Sequence, residues 1–255
     1  MMKQLVSIIM PVYNGEKTIE KAIRSVLSQT YENFELIVID DNSTDDTAKI
    51  VNSFLDIDKR IILIKNKENC GVSVSRNIGC KSARGEYIAF LDSDDVWMEN
   101  KLEKQINLMQ EKDCDLAYTA YTIVYSSKRL LKKEILYQVP ETVSYEELLK
   151  ENVIGCSTVL LRAKAMNNHE FDRNYIHEDF VLWLGLAKEG KKFCGLNENL
   201  VLYAYGGRSS NKILAAKNRW IIYRRSQKLS FPMALYYMNC YLINALKKYI
   251  KLVTL

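Results

Sequence analysis

The sequence predicts an α/β fold: a doubly wound, mostly parallel sheet with helices on both faces, followed by a helical C-terminal tail. Three observations predict it. Continuous apolar runs alternate with stretches of helical periodicity through the first hundred residues. Clusters of Asp, Asn and Ser follow the ends of those runs. Ten glycines and three prolines in 255 residues are too few for linker-rich or collagen-like architecture, so long regular elements are joined by short connections.

Residues 6–10 form a continuous apolar or small run ended by Pro11, as a strand buried on both faces requires. Ile19, Ala22, Ile23, Val26 and Leu27 then recur on one face of a helix. Residues 36–39 are the second strand, ending in Asp40 and Asp41. Asn42, Ser43 and Thr44 offer N-caps, with Asp46 placed for a capping-box contact ahead of Ile50, Val51 and Phe54. Residues 61–64 read as a third strand, 71–83 as a helix, and 87–91 as a fourth strand running into Asp92-Ser93-Asp94-Asp95. Parallel neighbours need crossover connections of one hand, which is what this βαβαβαβ order supplies. Ligands of such sheets bind beyond the carboxyl ends of the strands, and that edge is acidic here.

The second half is less regular. A helix over 98–112 precedes a β-rich stretch over 116–125 and a basic segment around 128–133 that reads as a loop. Ser144 starts a short helix and 157–161 reads as a strand. His177-Glu178-Asp179 precedes an apolar helix ended by Gly190. The last forty or so residues are helical, interrupted by Pro232.

A composition of 48% hydrophobic and 26% charged residues is that of a globular chain and excludes disorder. None of the six cysteines is closely paired in the way structural zinc or thioredoxin-like chemistry demands, which suggests reduced thiols in a cytoplasmic protein. The N-terminal apolar stretch is too short for a secretory signal. Charge is divided: from Arg208 onward there are ten basic residues and no acidic one, so the preceding residues carry a net −5 within a total of +5. A basic end on an acidic body suits an anionic membrane surface or nucleic acid, and equally a solvated helical face.

An Asp-x-Asp at a strand tip puts two carboxylates on one side of an extended chain. Asp92 and Asp94 therefore suit a hard divalent cation that in turn binds a diphosphate, or else are turn-forming and capping residues before the next helix. Asp179 reads either as a general base or as an N-terminal carboxylate favoured by the helix dipole.

Four motifs occur in order: Ser-Ile-Ile-Met-Pro-Val-Tyr-Asn at 7–14, Val-Ile-Asp-Asp-Asn-Ser-Thr-Asp at 38–45, Asn69-x-Gly71-x-Ser73-x-Ser75-Arg76-Asn77-x-Gly79, and Gly-Glu-Tyr-Ile-Ala-Phe-Leu-Asp-Ser-Asp-Asp at 85–95. Together they resemble the nucleotide-sugar-binding half of family 2 inverting glycosyltransferases with the GT-A fold. The likeness spans residues 5–110 and continues more weakly through Glu178-Asp179 to about 210. It implies a glycosyltransferase domain over 1–210, with a nucleotide-sugar half (1–110) and an acceptor half (111–210), and a basic aromatic tail over 211–255.

The resemblance implies roles position by position. Pro11 and Tyr13 would line the base pocket and Asp41 would hydrogen-bond the base, most simply uracil. Arg76 would lie near the nucleotide. Asp92 would face the ribose and Asp94 the metal, with Asp92 as a second metal contact, and Ser93 would share the nucleotide site. Asp179 would be the general base. The implied cofactor is Mn²⁺ or Mg²⁺, and the implied partners are a nucleoside diphosphate sugar and a glycan or lipid-linked acceptor. His177 is a candidate to orient the base or touch phosphate, and Arg208-Ser209-Ser210 sits where related enzymes carry a phosphate-contacting loop, without the histidine found there. The Gln-x-x-Arg-Trp of processive synthases is represented only by Arg219-Trp220, so transfer of one sugar is expected.

The tail has eighteen uncharged residues, 229–246, between basic clusters. Pro232, Asn239 and Asn244 disfavour membrane insertion, and tyrosines near lysines suit an interfacial helix on the inner face of the cell membrane. A helix packed on the domain or in a homo-oligomer is the alternative. Two other function classes remain open at the level of sequence: a sugar nucleotidyltransferase, although 11–16 reads Pro-Val-Tyr-Asn-Gly-Glu where such enzymes carry a basic glycine-rich loop, and a non-enzymatic membrane or nucleic-acid tether. A Rossmann dehydrogenase is excluded because no G-x-G-x-x-G follows the first strand.

Overall fold

The computed structural model describes residues 4–125, 134–205 and 212–253. Its first half follows the expected order. Strands Val6–Val12 (β1), Phe34–Asp40 (β2), Ile61–Lys65 (β3) and Tyr87–Phe90 (β4) alternate with helices Ile19–Leu27 (α1), Thr47–Leu55 (α2) and Val72–Ser82 (α3). The strands lie side by side in the order β3-β2-β1-β4, all parallel, with Ile9 opposite Ile37 on one side and Phe90 on the other.

Burial on both faces explains the unbroken apolar runs. Val6, Ile8 and Met10 pack with α1 and α2 on one side, while Ile9, Ile39 and Phe90 join the core on the other. Gly79 lets α3 lie close on that second side: a Cβ there would come within 2.5 Å of Ile9 and 2.8 Å of Ile39 side-chain carbons.

The second half adds Val96–Trp97 (β5), Lys101–Lys112 (α4), Leu116–Tyr125 (β6), Glu134–Tyr137 (β7), Tyr145–Lys150 (α5), Leu160–Arg162 (β8), Glu178–Lys188 (α6), Phe193–Tyr205 (β9), Lys212–Ile221 (α7) and Phe231–Val253 (α8). The full sheet runs β3-β2-β1-β4-β8-β6-β9-β5, with β7 on β6. It is mixed: β8 runs antiparallel to β4 and β6, and β5 to β9, whereas β6 and β9 are parallel. Helices α1, α2 and α4 cover one face; α3, α5, α6 and α8 cover the other.

Several local expectations shift. The helix expected from 98 begins at 101, because Val96–Trp97 pairs with β9 and the Met98 amide donates to the Leu200 carbonyl at 3.0 Å. The strand expected over 157–161 is shorter and later: Ser157 and Thr158 close a 3-10 turn, Cys156–Thr158, and the three-residue β8 starts at Leu160. The N-cap position of α2 is Asp46 and its side chain makes no cap; the Asp45 carboxylate instead accepts from the Thr47 amide at 3.0 Å and hydroxyl at 2.5 Å. The short helix at Ser144 forms with a full capping box, the Ser144 hydroxyl accepting from the Glu147 amide and the Glu147 carboxylate from the Ser144 amide.

The tail helices are not detached. α7 passes through a π turn at Ile222–Ser226, and Pro232 stands in the first turn of α8, where its missing N–H breaks no intrahelical bond. Ile222, Tyr223, Ala234 and Tyr237 share one core with Leu148 and Leu149 of α5, and the Tyr223 hydroxyl donates to the Leu149 carbonyl at 2.5 Å. The basic segment around 128–133 and Arg208-Ser209-Ser210 lie outside the described residues.

Candidate active site

A cavity of about 520 Å³ opens beyond the carboxyl ends of β1, β2 and β4. Pro11, Tyr13, Asp41, Arg76, Asp92, Ser93 and Asp94, the seven donor-side residues singled out from the sequence, all line it. Tyr13 is half exposed. The two loops that frame it are tied together: the Asn14 amide donates to the Ser43 hydroxyl at 2.9 Å, the Gly15 amide to the Thr47 hydroxyl at 2.8 Å, and the Asn14 side-chain oxygen accepts from the Thr44 amide at 2.8 Å. Asn14 and Asn42 both adopt left-handed backbone, a conformation asparagine tolerates better than most residues.

Asp41 is buried at the tip of β2. Its Oδ1 accepts from Asn66 Nδ2 at 2.7 Å and the Cys70 amide at 2.9 Å, and its Oδ2 from the Gly71 amide at 2.7 Å. Gly71 has φ +85, which glycine adopts without strain. Asp41 thereby clamps the loop that starts α3, and three of the roughly four acceptor sites of its carboxylate are used.

Arg76 is only 3% exposed and links two halves of the chain. One Nη donates to Asp92 Oδ1 at 2.5 Å and the other to Glu178 Oε1 at 2.7 Å, while the guanidinium lies 5.3 Å from the Phe171 ring. Phe171 is held by a reciprocal pair of bonds with Asn77, the residue after Arg76. Burial alone would lower the guanidinium's pKa; the charges of Asp92, Glu178 and Asp179 more than offset it and hold it well above the ordinary value.

The four-residue acidic cluster divides by environment. Asp95 is buried and faces inward, accepting from the Ser157 hydroxyl at 2.5 Å and the Ala204 amide at 2.8 Å; burial and the charges of Asp92 and Asp94 push its carboxyl well up. Asp94 reaches the surface. Crowding by surrounding protein, then the negative charge of Asp92, raise it above the usual carboxylate range.

Asp179 does not line the cavity. It stands in the first turn of α6, partly buried, with Oδ1 accepting from the Phe180 amide at 2.8 Å. Burial raises its pKa, the positive charges of Arg76 and Arg219 lower it, and Asp92 raises it further, for a net increase. His177 occupies the N-cap position of α6 without a side-chain cap bond. His169 pairs with Glu189 at 3.0 Å, away from the cavity.

Sequence reasoning missed three contributors. Glu178 was legible only as half of an acidic pair, yet it is the buried counter-charge of Arg76. Ser157 accepts from the Asp92 amide at 3.1 Å as it donates to Asp95. Arg219 of α7 is buried with its guanidinium 3.8 Å from the Phe180 ring and 4.9 Å from that of Tyr241, so a residue of the tail reaches the surroundings of Asp179. Its only sequence signal was the Arg-Trp dipeptide.

Residues 7–169 match the family model of Glycosyl transferase family 2. The chain belongs to that family. TuaG of Bacillus subtilis (strain 168), a glycosyltransferase named for teichuronic acid biosynthesis, is 39% identical over 96% of this chain and 98% of its own. WfgD of Escherichia coli, named as a UDP-Glc:α-D-GlcNAc-diphosphoundecaprenol β-1,3-glucosyltransferase, is 38% identical over 96% and 95%. The structure of S. aureus TarS 1–349 in complex with UDP-GlcNAc superposes with a TM-score of 0.72 at 21% identity, covering 94% of this chain and 72% of that one. This family 2 glycosyltransferase has the GT-A fold expected from its motifs, and family membership selects the transferase among the function classes open at the level of sequence.

Asp92 and Asp94 are the hard donors that a divalent cation would use in this glycosyltransferase. No group of three or more His, Cys, Asp or Glu side chains is arranged for a metal among the described residues. The two carboxylates nevertheless fit: they share the cavity wall, and the charge of one raises the pKa of the other, a repulsion that a cation relieves.

Proposed function

We propose that this glycosyltransferase moves a single hexosyl or N-acetylhexosaminyl group from a UDP-sugar to a lipid-diphosphate-linked glycan, in one displacement that inverts the anomeric carbon. The observation that carries the reading is Arg76: a single buried side chain joins Asp92 in the cavity to Glu178, the neighbour of a carboxylate with a raised pKa. This link supports a reading in which Asp179 takes the acceptor proton beside the donor cavity. WfgD's named substrates and the UDP-GlcNAc bound by TarS support the donor and acceptor classes.

In this reading Pro11, Tyr13 and Asp41 receive the base, and Asp92, Ser93 and Arg76 the ribose and phosphates. Asp179, with Oδ1 occupied by the Phe180 amide, takes the acceptor hydroxyl proton on Oδ2. As the acceptor oxygen bonds to the anomeric carbon, the bond from that carbon to the diphosphate breaks and UDP departs. Mn²⁺ or Mg²⁺ held by Asp94 and Asp92 would supply Lewis-acid stabilisation of the leaving diphosphate. Arg76 adds a fixed positive charge that needs no reorganisation.

The test is transfer by the purified enzyme from UDP-Glc and UDP-GlcNAc to a GlcNAc-diphospholipid, with the product anomer read by NMR. Inverted product is expected, with Asp179→Asn lowering kcat by about 10²–10⁴-fold and leaving UDP affinity near wild type. Retained configuration, or an Asp179→Asn variant of normal rate, sinks the reading.

A further inference from the structure

Helix α8 carries two stripes. Ala234, Tyr237, Met238, Tyr241 and Asn244 recur at helical spacing against the body: Ala234 and Tyr237 are buried in the core, Met238 packs on it, Tyr241 lies beside the Arg219 guanidinium, and Asn244 Nδ2 approaches the Lys150 carbonyl at 3.5 Å. Half a turn away, Leu235, Tyr236, Asn239, Leu242, Ile243 and Leu246 recur at the same spacing and are all exposed, the apolar ones from 46% for Leu235 to 59% for Leu246. Asn239 is the one amide in an otherwise apolar or aromatic outer stripe. A contiguous apolar face of this kind on a water-soluble surface marks an interaction site.

We propose that this outer stripe seats α8 in the plane of an anionic membrane surface. The inference deepens the reading of the acceptor as lipid-linked and rests on it. Charge decides between a bilayer and a second copy of the chain. No acidic residue follows position 207, and Lys217, Arg224, Arg225, Lys228 and Lys247 of the same tail are exposed. A closed pair of chains joined through the stripe would set this same basic surface against itself. Anionic headgroups supply the opposite sign, and Tyr236 suits the headgroup level. Among the described residues no helix is long and apolar enough to cross a membrane, so α8 lies on the surface and does not span it.

The placement also serves the reaction. The inner stripe touches Arg219 through Tyr241, and Arg219 stacks on Phe180, the residue after Asp179. One helix diameter, about 10 Å, separates the membrane-facing stripe from Tyr241, with Arg219 and Phe180 beyond it on the way to the proposed base.

The experiment is flotation of the full-length enzyme with vesicles of phosphatidylglycerol and phosphatidylcholine, or of phosphatidylcholine alone. Recovery with the anionic vesicles, reversed by salt, is expected, and none with the neutral ones. The double variant Leu235→Glu/Leu242→Glu should lower vesicle affinity at least about tenfold while melting temperature and hydrolysis of UDP-sugar remain at wild-type level. Absence of binding to anionic vesicles, or unchanged binding by the double variant, overturns the proposal. So does a concentration-dependent dimer that the double variant abolishes in the absence of vesicle binding, which assigns the stripe to a second copy. Vesicle binding without transfer to any diphospholipid acceptor removes the acceptor reading alone and leaves the docking surface standing.

Discussion

Arg76 and Glu178, 102 positions apart, meet in a buried ion pair at 2.7 Å that joins the third helix to the sixth. Removing one member of a buried pair leaves a charge without its partner, which typically costs about 3–5 kcal/mol. Arg76→Met should therefore lower the unfolding free energy, read from denaturant titration, by that order. Arg76→Met/Glu178→Leu should recover part of the loss, because both charges leave together. Equal destabilisation of the single and double variants would show that the pair contributes nothing as a pair.

The pH profile follows from Asp179. A general base works only when ionised, and burial raises this carboxyl above its ordinary value of about 4. The rate must then rise with pH through a pKa above that value, which displaces the acid limb of kcat/KM upward. Arg219 lowers the pKa of Asp179 by its charge. Arg219→Met should move the limb to still higher pH, as measured by transfer rates across pH 4–8. A limb that stays put contradicts the assignment of Asp179 as the titrating base.

Strands β1, β2 and β4 were legible because burial on both faces writes a continuous apolar run. The thirteen residues of β9 were not. Gly195, Asn197, Glu198 and Asn199 interrupt any alternation there, and the reasons lie far away: a Cβ at Gly195 would sit 1.9 Å from the Pro140 carbonyl oxygen, and Asn197 Oδ1 accepts from the Val139 amide at 3.1 Å. β5, two residues long, exists only through its pairing with β9. In the site, the strand-end residues singled out from the sequence gather at one cavity. Asp94 and Asp95 are chemically identical in sequence, and only Ser157 and Ala204, brought from 62 and 109 positions away, make Asp95 an internal brace. The Arg-Trp dipeptide named Arg219 but not its place beside Asp179, since Phe180 and Tyr241 gather around it only on folding.

Asp94 offers a direct check on the metal. In the wild-type enzyme Mn²⁺ should increase UDP affinity, and Asp94→Asn should cut that increment at least about tenfold, a scale at which even outer partners of metal sites act. Because the carboxyl of Asp94 is raised by crowding and by Asp92, protons compete with the ion more readily there than at an ordinary carboxylate. The Mn²⁺-dependent increment should therefore shrink as pH falls from 7 to 5. Calorimetric titration with UDP, with and without Mn²⁺, reads both effects. An Asp94→Asn variant with an undiminished increment places the ion elsewhere.

At the opposite end of β1 from the cavity, Ser7 tests how charge secures the sheet. Its hydroxyl donates to Glu35 Oε1 at 2.6 Å and accepts from the Arg84 and Gly85 amides at 3.1 and 2.8 Å. Burial pushes the Glu35 carboxyl up, but the Ser7 hydroxyl and the Arg84 amide and guanidinium more than offset that, so its folded pKa lies below the ordinary value. A carboxyl with a depressed folded pKa adds stability above its unfolded pKa, about 4.3, and that stability is lost as pH falls through the folded value. Ser7→Ala removes a donor from Glu35 and takes the acceptor from the buried Gly85 amide, while the Arg84 amide keeps Glu35 Oε1 at 2.8 Å, at a cost of about 1–3 kcal/mol at neutral pH. It also brings the folded pKa of Glu35 back toward the unfolded one, so the loss of stability on acidification should be shallower than in wild type. Urea titrations at pH 7 and pH 4 separate the two contributions: a Ser7→Ala penalty larger at pH 4 than at pH 7 would show that the hydroxyl does not act through the ionised carboxylate.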